Sequence, residues 1–228
     1  MRIWLKYLIV ALALHGPGRS ASGAATISNE LQYVSQAMTN AGPALATLKT
    51  LGYRDLAGTG FANTNEIHLA VNGDPIPIYR VTHAALSALH AVDSLDTLLP
   101  VNVTTQSANY LIIPVKVGTK VRSSISMRWD GTNWRTTKLG RPDLIRRLTN
   151  TYAAVPIESR APVQPFVLEI ELFDIWLIGY YNNQNQLILL TTRELHSGSI
   201  NIAAHQPMTS EMMYRFASSA ERYNFKPN

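Results

Sequence analysis

The segment 110–139 constrains the fold more than any other part of the chain, because apolar and polar residues alternate along it. A period of two is typical of a strand with one buried and one solvated face. The residues expected on the buried face of the middle strand are Val121, Ser123, Ile125, Met127 and Trp129, and those expected on the solvated face are Arg122, Ser124, Ser126 and Arg128. Turn sequences stand at 118–119 and 130–133. The segment therefore predicts an antiparallel meander of three strands at 110–117, 121–129 and 134–139.

Apolar residues recur at helical spacing in other parts of the chain. Gly42-Pro43 is expected to break an N-terminal helix and to start a second short piece at 43–51. A helix that opens at Pro142 carries an apolar stripe, with Arg146 and Arg147 facing away from it. The other predicted helices cover 83–92 and a C-terminal stretch that begins at Thr209 or Ser210 and ends at Tyr223.

Two hairpins are predicted outside the meander. Residues 67–71 alternate in polarity before the turn Asn72-Gly73, and a second strand follows at 76–80. Because proline cannot donate a ladder hydrogen bond, Pro75 and Pro77 are expected to confine this second strand to a sheet edge. The longer hairpin joins 175–181 to 187–192, with a strand at 166–173 before it and a short strand at 199–203 after it.

These elements predict an α+β fold, in which an antiparallel β-sheet made of a meander and a long hairpin packs against N-terminal, middle and C-terminal helices. The regular strand–helix–strand alternation of a doubly wound parallel sheet is absent. We expect a single domain over 25–228, since roughly 200 residues can bury their own core. The sequence leaves open a division into a helical and hairpin part (25–100) and a β-rich part (101–228).

The first 24 residues have the order of a secretory signal peptide. Arg2 and Lys6 give a positive start, an apolar run follows at 7–14, and small residues occupy 20–25. The run is much shorter than the roughly 20 apolar residues that a membrane-spanning helix needs. We therefore expect residues 1–24 to be cleaved, and the mature chain to be periplasmic or secreted and not membrane-spanning. The alternative is an apolar N-terminal helix packed in the core.

The composition excludes several classes of site. The chain has no cysteine, which excludes disulfide frameworks, cysteine-ligated zinc, iron–sulfur clusters and thiol catalysis. It has no glycine-rich phosphate-binding loop, so nucleotide binding of that type is not expected. His83 and His90 would lie about 10 Å apart along one helix, too far for both to bind one metal ion. Asp93 and Asp96 could join His90 in a site, but polar surface residues after a helix end are the simpler interpretation. No cofactor and no metal are expected.

Positive charge is concentrated at 116–147, where nine basic residues against two acidic ones give a net charge of +7. Such segregation indicates a surface that binds something acidic. The residues predicted to form this binding face are Lys116, Lys120, Arg122, Arg128, Arg135, Lys138, Arg146 and Arg147. An acidic envelope polymer, a lipid head group or an acidic partner protein would suit it. Nucleic acid is not expected as a partner outside the cytoplasm.

The sequence thus predicts a non-enzymatic exported module that binds an acidic envelope component or a partner protein. Two alternatives stay open. Glu169 and Glu171, about 6.8 Å apart if they share a strand face, could act with His196 as the dispersed site of an envelope hydrolase, although a solvated strand face is the simpler interpretation. The proline-bounded segment 161–165 could instead dock into a protease, as in an inhibitor or a prodomain.

Overall fold

The structure, a computed structural model, describes residues 22–82, 109–156, 165–184, 186–197, 200–209, 211–213 and 215–216. Its α-helices are α1 (Ser22–Gly52), α2 (Leu56–Thr59), α3 (Thr64–Leu69) and α4 (Pro142–Ala153). Its strands are β1 (Val71–Asn72), β2 (Ile76–Val81), β3 (Tyr110–Val117), β4 (Lys120–Trp129), β5 (Trp134–Gly140), β6 (Phe166–Ile170), β7 (Ile175–Tyr181), β8 (Leu187–Thr191), β9 (Leu195–Ser197), β10 (Ile200–Ile202) and β11 (Pro207–Thr209). A 3₁₀-helix at Glu171–Phe173 separates β6 from β7.

Nine strands form one sheet in the order β11-β8-β7-β6-β2-β3-β4-β5, with β1 also pairing with β3. Neighbouring strands are antiparallel except β2 and β6, which run parallel. The strands β9 and β10 form a separate two-stranded sheet. The predicted α+β class is confirmed, because helices pack on a large and mostly antiparallel sheet.

Each face of the large sheet is buried over part of its area. One face packs against α1 and α3 at the meander, through side chains such as Leu48 and Ile67. At the hairpin end the same face is covered by β9, β10 and Phe216. The opposite face, called the α4 face below, packs against Leu144 and Leu148 of α4. The large sheet therefore forms the middle layer of the molecule.

The predicted meander is confirmed to within one residue at each strand end. Ile125 and Met127 are buried toward α1, as the alternation predicts. The solvated face is only partly as expected, since Ser124 is 1% exposed and donates a hydrogen bond of 2.6 Å to the carbonyl of Gly140. The reason is that α4 covers this part of the face, with its Leu144 and Leu148 packed beside β3 and β4.

The predicted helix break at Gly42-Pro43 is wrong, because α1 continues through both residues. Proline in a helix interior removes one backbone hydrogen bond and is unfavourable by itself. Here Ala41 and Ala44 on either side are buried against the sheet at 0% and 6% exposure. Tertiary packing of this face offsets the local cost of Pro43.

The hairpin predicted at 67–80 is also wrong. Residues 64–69 form α3, whose N-cap Asn63 accepts a hydrogen bond of 3.1 Å from the Glu66 amide. The second predicted strand exists as β2, but it lies between β3 and β6 rather than at an edge. Pro77 is tolerated there because pairing with β6 begins only at Ile78, so the proline has a paired strand on one side alone.

Several predictions concern residues outside the described ranges. They include most of the expected signal peptide, the helix at 83–92 with its metal candidates, the segment 161–164, and the C-terminal helix beyond residue 216. Within the described chain, no helix combines the length and the apolar character that crossing a membrane requires.

Candidate functional site

The eight basic residues predicted as a binding face occupy separate parts of the structure. The turn between β3 and β4 is flanked by Lys116 and Lys120, and Arg122 lies near the same end of β4. The other end of the meander contains Arg128, Arg135 and Lys138. Helix α4 carries Arg146 and Arg147. Arg128 is opposite Tyr110, which precedes Lys116 on β3 by six residues. About 20 Å of strand therefore separates the two ends.

Arg122 turns toward α3 instead of sharing a face with Arg128. A β-bulge makes Arg122 the extra residue on β4, which changes the direction of its side chain. Its guanidinium forms an ion pair with Glu66 of α3. Burial acts to raise the pKa of Glu66, but a hydrogen bond from the Ala62 amide and the charge of Arg122 outweigh it, so the pKa is lowered. The expectation that Arg122 and Arg128 project from one face is therefore wrong.

Three of the predicted residues do share one surface, which we call the basic edge: Arg128, Arg135 and Lys138. Arg128 lies directly opposite Arg135, and Lys138 lies opposite Ser126. Directly opposed residues share a face of the sheet. Ser126 is also opposed to Ile112 of β3, and Ile112 packs against Leu144 and Leu148 of α4. The shared face is therefore the α4 face. All three basic residues are exposed.

Among the described residues, one of the three cations of the basic edge has a carboxylate partner. Asp130, in the turn between β4 and β5, accepts a hydrogen bond of 2.6 Å from Arg135 Nε. This bond, followed by bonds from the Asn133 and Thr132 amides, lowers the pKa of Asp130, so its carboxylate stays ionised at neutral pH. Within the described ranges, no ion pair involves Arg128 or Lys138.

From Arg128 a line of side chains continues across the sheet to an ion pair whose carboxylate is buried. Arg128 lies opposite Tyr110, and the Cζ atom of Arg80 lies 3.8 Å from the centroid of the Tyr110 ring. Arg80 forms an ion pair with Glu169, its directly opposed residue on β6. We call the resulting line, with one side chain from each of six strands, the cross-strand row: Arg135, Arg128, Tyr110, Arg80, Glu169 and Trp176.

Glu169 is the buried acid of the cross-strand row, with 7% of its surface exposed. Burial raises its pKa, the nearby charges of Arg80 and Arg141 lower it, and Glu171 raises it again, so that the pKa lies above its ordinary value. Glu171 is in the 3₁₀-helix, and its Oε1 atom lies 4.0 Å from Arg80 Nη1. The two glutamates therefore do not form one solvated strand face, because β6 ends between them and Glu169 is covered.

The Trp176 end of the row contains strained backbone. Of the three non-glycine residues with positive φ in the described chain, two lie here, Arg141 at 65° and Asp174 at 48°. The Arg141 Cζ atom lies 5.0 Å from the Trp176 ring centroid, and the indole Nε1 donates a hydrogen bond of 2.8 Å to Asp174. Such conformations cost about 1 to 3 kcal/mol each and are concentrated at functional sites.

The two arginines of α4 differ in their surroundings. Arg146 is exposed and forms an ion pair with Asp143 at 3.5 Å. Arg147 is half-buried, and its Nε atom has no hydrogen-bond partner among the described residues. Burial and the charges of Arg193 and Arg141 lower the pKa of Arg147, although Asp174 partly opposes them. Arg147 therefore belongs with the Trp176 end of the row and not with the basic edge.

Arg80, Tyr110 and Trp176 are residues of the row that the sequence patterns do not predict as site residues. One signal was present, since Arg80 and Glu169 each interrupt an otherwise apolar strand. Buried charges are normally paired, so opposite charges in two buried strands indicate that the strands are neighbours. The stacking of Arg80 on Tyr110 had no comparable signal, because it depends on where β2 pairs.

The residues of the hydrolase alternative lie on different elements. His196 on β9 contacts Asn201 at 2.8 Å and Glu194 at 3.7 Å. The neighbouring Leu195 packs in the core on the side opposite the α4 face, whereas Glu169 belongs to the α4 face. In the part of the chain that the structure describes, no group of three or more potential metal ligands could hold an ion.

The arrangement is chemically suited to binding anions. A guanidinium group donates two parallel hydrogen bonds to a carboxylate or a phosphate, and the basic edge exposes two such groups side by side. The chain matches no protein-family model, no curated protein and no solved structure. Its function is therefore inferred from the chemistry of its own residues.

Proposed function

We propose that this protein is an exported, non-enzymatic module that binds an acidic macromolecule of the cell envelope through the basic edge. The observation that carries the proposal is the direct opposition of Arg128 and Arg135 at the exposed end of the cross-strand row. The backbones of paired strands are about 5 Å apart, so the two guanidinium groups can engage successive carboxylates or phosphates of one acidic chain. Lys138 adds a third cation on the same face.

The energetics of the sheet support this proposal. Like charges in directly opposed positions destabilise a sheet, and a neutral residue at either position would relieve the repulsion. A local arrangement that opposes folding is expected where function requires it. Asp130 neutralises Arg135 in part, which leaves Arg128 to gain the most from an acidic ligand.

The buried half of the row supports the exposed half. Tyr110 lies opposite Arg128, and its ring is covered by Arg80, which Glu169 holds by an ion pair. A side chain whose neighbours are fixed loses less conformational entropy when it binds. The row therefore gives the Arg128 side chain an ordered neighbour on the sheet surface.

The cellular location is part of the proposal. The expected signal peptide at 1–24 and the absence of cysteine suit an exported protein that depends on its core rather than on disulfides. Outside the cytoplasm, acidic polymers and acidic protein surfaces are available partners. Binding to either should weaken as salt rises, because exposed charges are screened beyond about 8 Å at physiological ionic strength.

The test is binding of the mature protein to poly-glutamate and to isolated envelope fractions over a range of salt concentrations. We expect Arg128→Glu combined with Arg135→Glu to weaken binding about tenfold or more at low salt, since charged contacts steer and hold such complexes. The matched control is Arg146→Glu combined with Arg215→Glu, which changes the net charge equally at two exposed positions outside the basic edge. This control should bind within about twofold of the wild type.

Two results would contradict the proposal. Equal losses in both double variants would mean that net charge alone drives binding. Unchanged binding in the variant at Arg128 and Arg135 would remove the basic edge as the binding surface. Circular dichroism of each variant checks that the fold is kept.

One observation favours the hydrolase alternative, namely the raised pKa of Glu169, which burial causes. A carboxyl that acts as a general acid needs such a shift. The ion pair with Arg80 and the low exposure of Glu169 favour a structural role instead. Hydrolysis of envelope polysaccharide by the wild type but not by Glu169→Gln would favour the enzyme. The inhibitor alternative rests on 161–165, of which 161–164 lie outside the described residues, and it stays a prediction.

A further inference from the structure

Exposed apolar side chains are concentrated at the end of the molecule remote from the basic edge. Five large apolar residues of the described chain are exposed: Leu51 at 39%, Tyr53 at 51%, Leu69 at 65%, Val71 at 55% and Met212 at 46%. The first four come from two neighbouring segments, the end of α1 and the junction of α3 with β1. We call these four residues the apolar tip. Clusters of this kind mark interaction sites, whereas single exposed residues need no explanation.

A contact between Tyr53 and His68 joins the two segments of the apolar tip. The Tyr53 hydroxyl lies 2.8 Å from His68 Nε2, and the two rings are 5.7 Å apart. Lys49 Nζ also donates a hydrogen bond of 3.1 Å to the His68 carbonyl. The two segments are therefore held together in the folded protein.

Two aliphatic side chains at the junction of α3 with β1 point outward. Ala70 is extended and 2% exposed, so it points into the core. Its neighbour Val71 consequently points away from the core, since successive side chains of extended backbone alternate in direction, and Leu69 at the last position of α3 also faces solvent. Each of them is more than half exposed. No packing requirement in the described structure explains two large aliphatic side chains at these positions.

Cations surround the apolar tip. Lys116 lies directly opposite Val71. The pKa of Glu66 of α3 is set mainly by burial, the Ala62 amide and Arg122, and the charge of Lys120 lowers it further, which places Lys120 close to α3. Lys49 and Arg54 lie at the α1 side of the tip. The acidic neighbours are Asp55, whose carboxylate accepts a hydrogen bond of 2.8 Å from the Gly58 amide, and Asp74. Glu66 of α3 is a third carboxylate, but it forms an ion pair with Arg122, so the four other cations against Asp55 and Asp74 leave the surroundings of the tip net positive.

We propose that the apolar tip docks onto the surface of an anionic lipid bilayer, as a second binding site that is independent of the proposed function of the basic edge. Leucine, valine and tyrosine side chains enter the boundary between head groups and acyl chains, where tyrosine keeps its hydroxyl in contact with water. Lysines around them attract acidic head groups. The basic edge lacks this combination, because its exposed side chains are charged or polar.

The absence of native cysteine permits a direct test. Leu69→Cys and Thr136→Cys variants of the full chain are each labelled with an environment-sensitive fluorophore and mixed with vesicles of phosphatidylglycerol and phosphatidylcholine. We expect the label at position 69 to shift to the blue and brighten, because it enters an apolar environment. The label at position 136, on the exposed part of β5, should not change. Vesicles of phosphatidylcholine alone should give a much smaller response.

Partition measurements test the contributing residues. Leu69→Ser combined with Val71→Ser should lower the partition coefficient about tenfold or more, since burying each of these side chains is worth at least that factor when it is complete. The matched control Met212→Ser removes an exposed apolar residue elsewhere and should change partition less than about twofold. Lys116→Gln combined with Lys120→Gln should reduce the preference for anionic vesicles, because two head-group contacts are lost.

The proposal and the function of the basic edge can fail separately. A label at position 69 that stays in a watery environment while the protein sediments with vesicles would overturn the lipid site, and would assign the binding to another segment such as the N-terminal apolar run. Arg128→Glu combined with Arg135→Glu should leave the response at position 69 unchanged. A loss of that response in this variant would also overturn the independence of the two sites.

Discussion

At the scale of single residues, Glu169 shows how the fold sets the chemistry of the cross-strand row. Its carboxyl is nearly buried, and this burial raises its pKa above 4.5 despite the opposing charges of Arg80 and Arg141. A carboxyl of this kind binds a proton more strongly in the native state than in the unfolded state. Its contribution to the free energy of unfolding is therefore fully present below the ordinary pKa and is lost as the pH rises through the folded pKa.

Glutamine at position 169 tests the direction of this pH dependence of the free energy of unfolding, because it keeps the shape of the side chain but does not titrate. We expect the free energy of unfolding of the wild type to increase relative to Glu169→Gln as the pH falls from neutral to about 4. Urea denaturation at several pH values measures the difference. Glu171→Gln is the control, since that carboxyl is exposed and lies 4.0 Å from Arg80. A wild-type advantage that grows with rising pH would instead mean that the ion pair outweighs the burial.

At the scale of elements, α1 carries two unfavourable residues in its interior. Proline there is about 3 kcal/mol less favourable than alanine, and glycine about 1 kcal/mol less favourable. Pro43 is exposed, and no atom lies within 4 Å of a Cβ placed on Gly42. Alanine at position 42 would therefore create no clash, and alanine at position 43 would shorten a side chain that is exposed to solvent.

We expect Pro43→Ala to raise the free energy of unfolding by about 2 kcal/mol and Gly42→Ala by about 1 kcal/mol. Urea denaturation followed by circular dichroism measures both. Ala46→Gly, at another exposed position of the same helix, is the control of opposite sign and should lower the free energy by about 1 kcal/mol. Unchanged stability in both alanine variants would place a break in α1 at residues 42 and 43.

The elements differ in how far local sequence determines them. The meander was predicted to within one residue because its alternation, its turns and its burial all agree. The continuity of α1 through Pro43 was missed because the packing of Ala41 and Ala44 against distant strands decides it. The central position of β2 also depends on distant strands. Pro77 is tolerated there because β6 pairs with β2 only from Ile78 onward, and the local sequence does not show this.

The same distinction applies to the candidate site. Arg128, Arg135 and Lys138 were among the predicted residues, because a hairpin brings its two strands together locally. Their continuation through Tyr110, Arg80 and Glu169 crosses strands that are far apart in sequence. The concentration of basic residues at 116–147 does not show that β2 and β6 lie beside the meander. It also did not show that a bulge turns Arg122 toward Glu66.

At the scale of the whole molecule, β2 connects the two parts of the sheet. It comes from the first 100 residues but lies between β3 and β6, which come from the later part of the chain. Its Arg80 also supplies the central contacts of the cross-strand row. Without β2, backbone groups of β3 and β6 would lose their partners in the middle of the sheet. The sheet and the candidate site therefore depend on the same strand.

We therefore expect the fragment 101–228 not to fold alone, although it contains the whole basic edge. Its tryptophan fluorescence should show no cooperative transition in urea, whereas the mature chain should unfold in one transition. Adding the fragment 25–100 should restore both the transition and the binding to poly-glutamate, because β2 can then pair again with β3 and β6. A fragment 101–228 that unfolds cooperatively and binds with the affinity of the mature chain would mean that the basic edge works without Arg80, and that the buried half of the row does not support it.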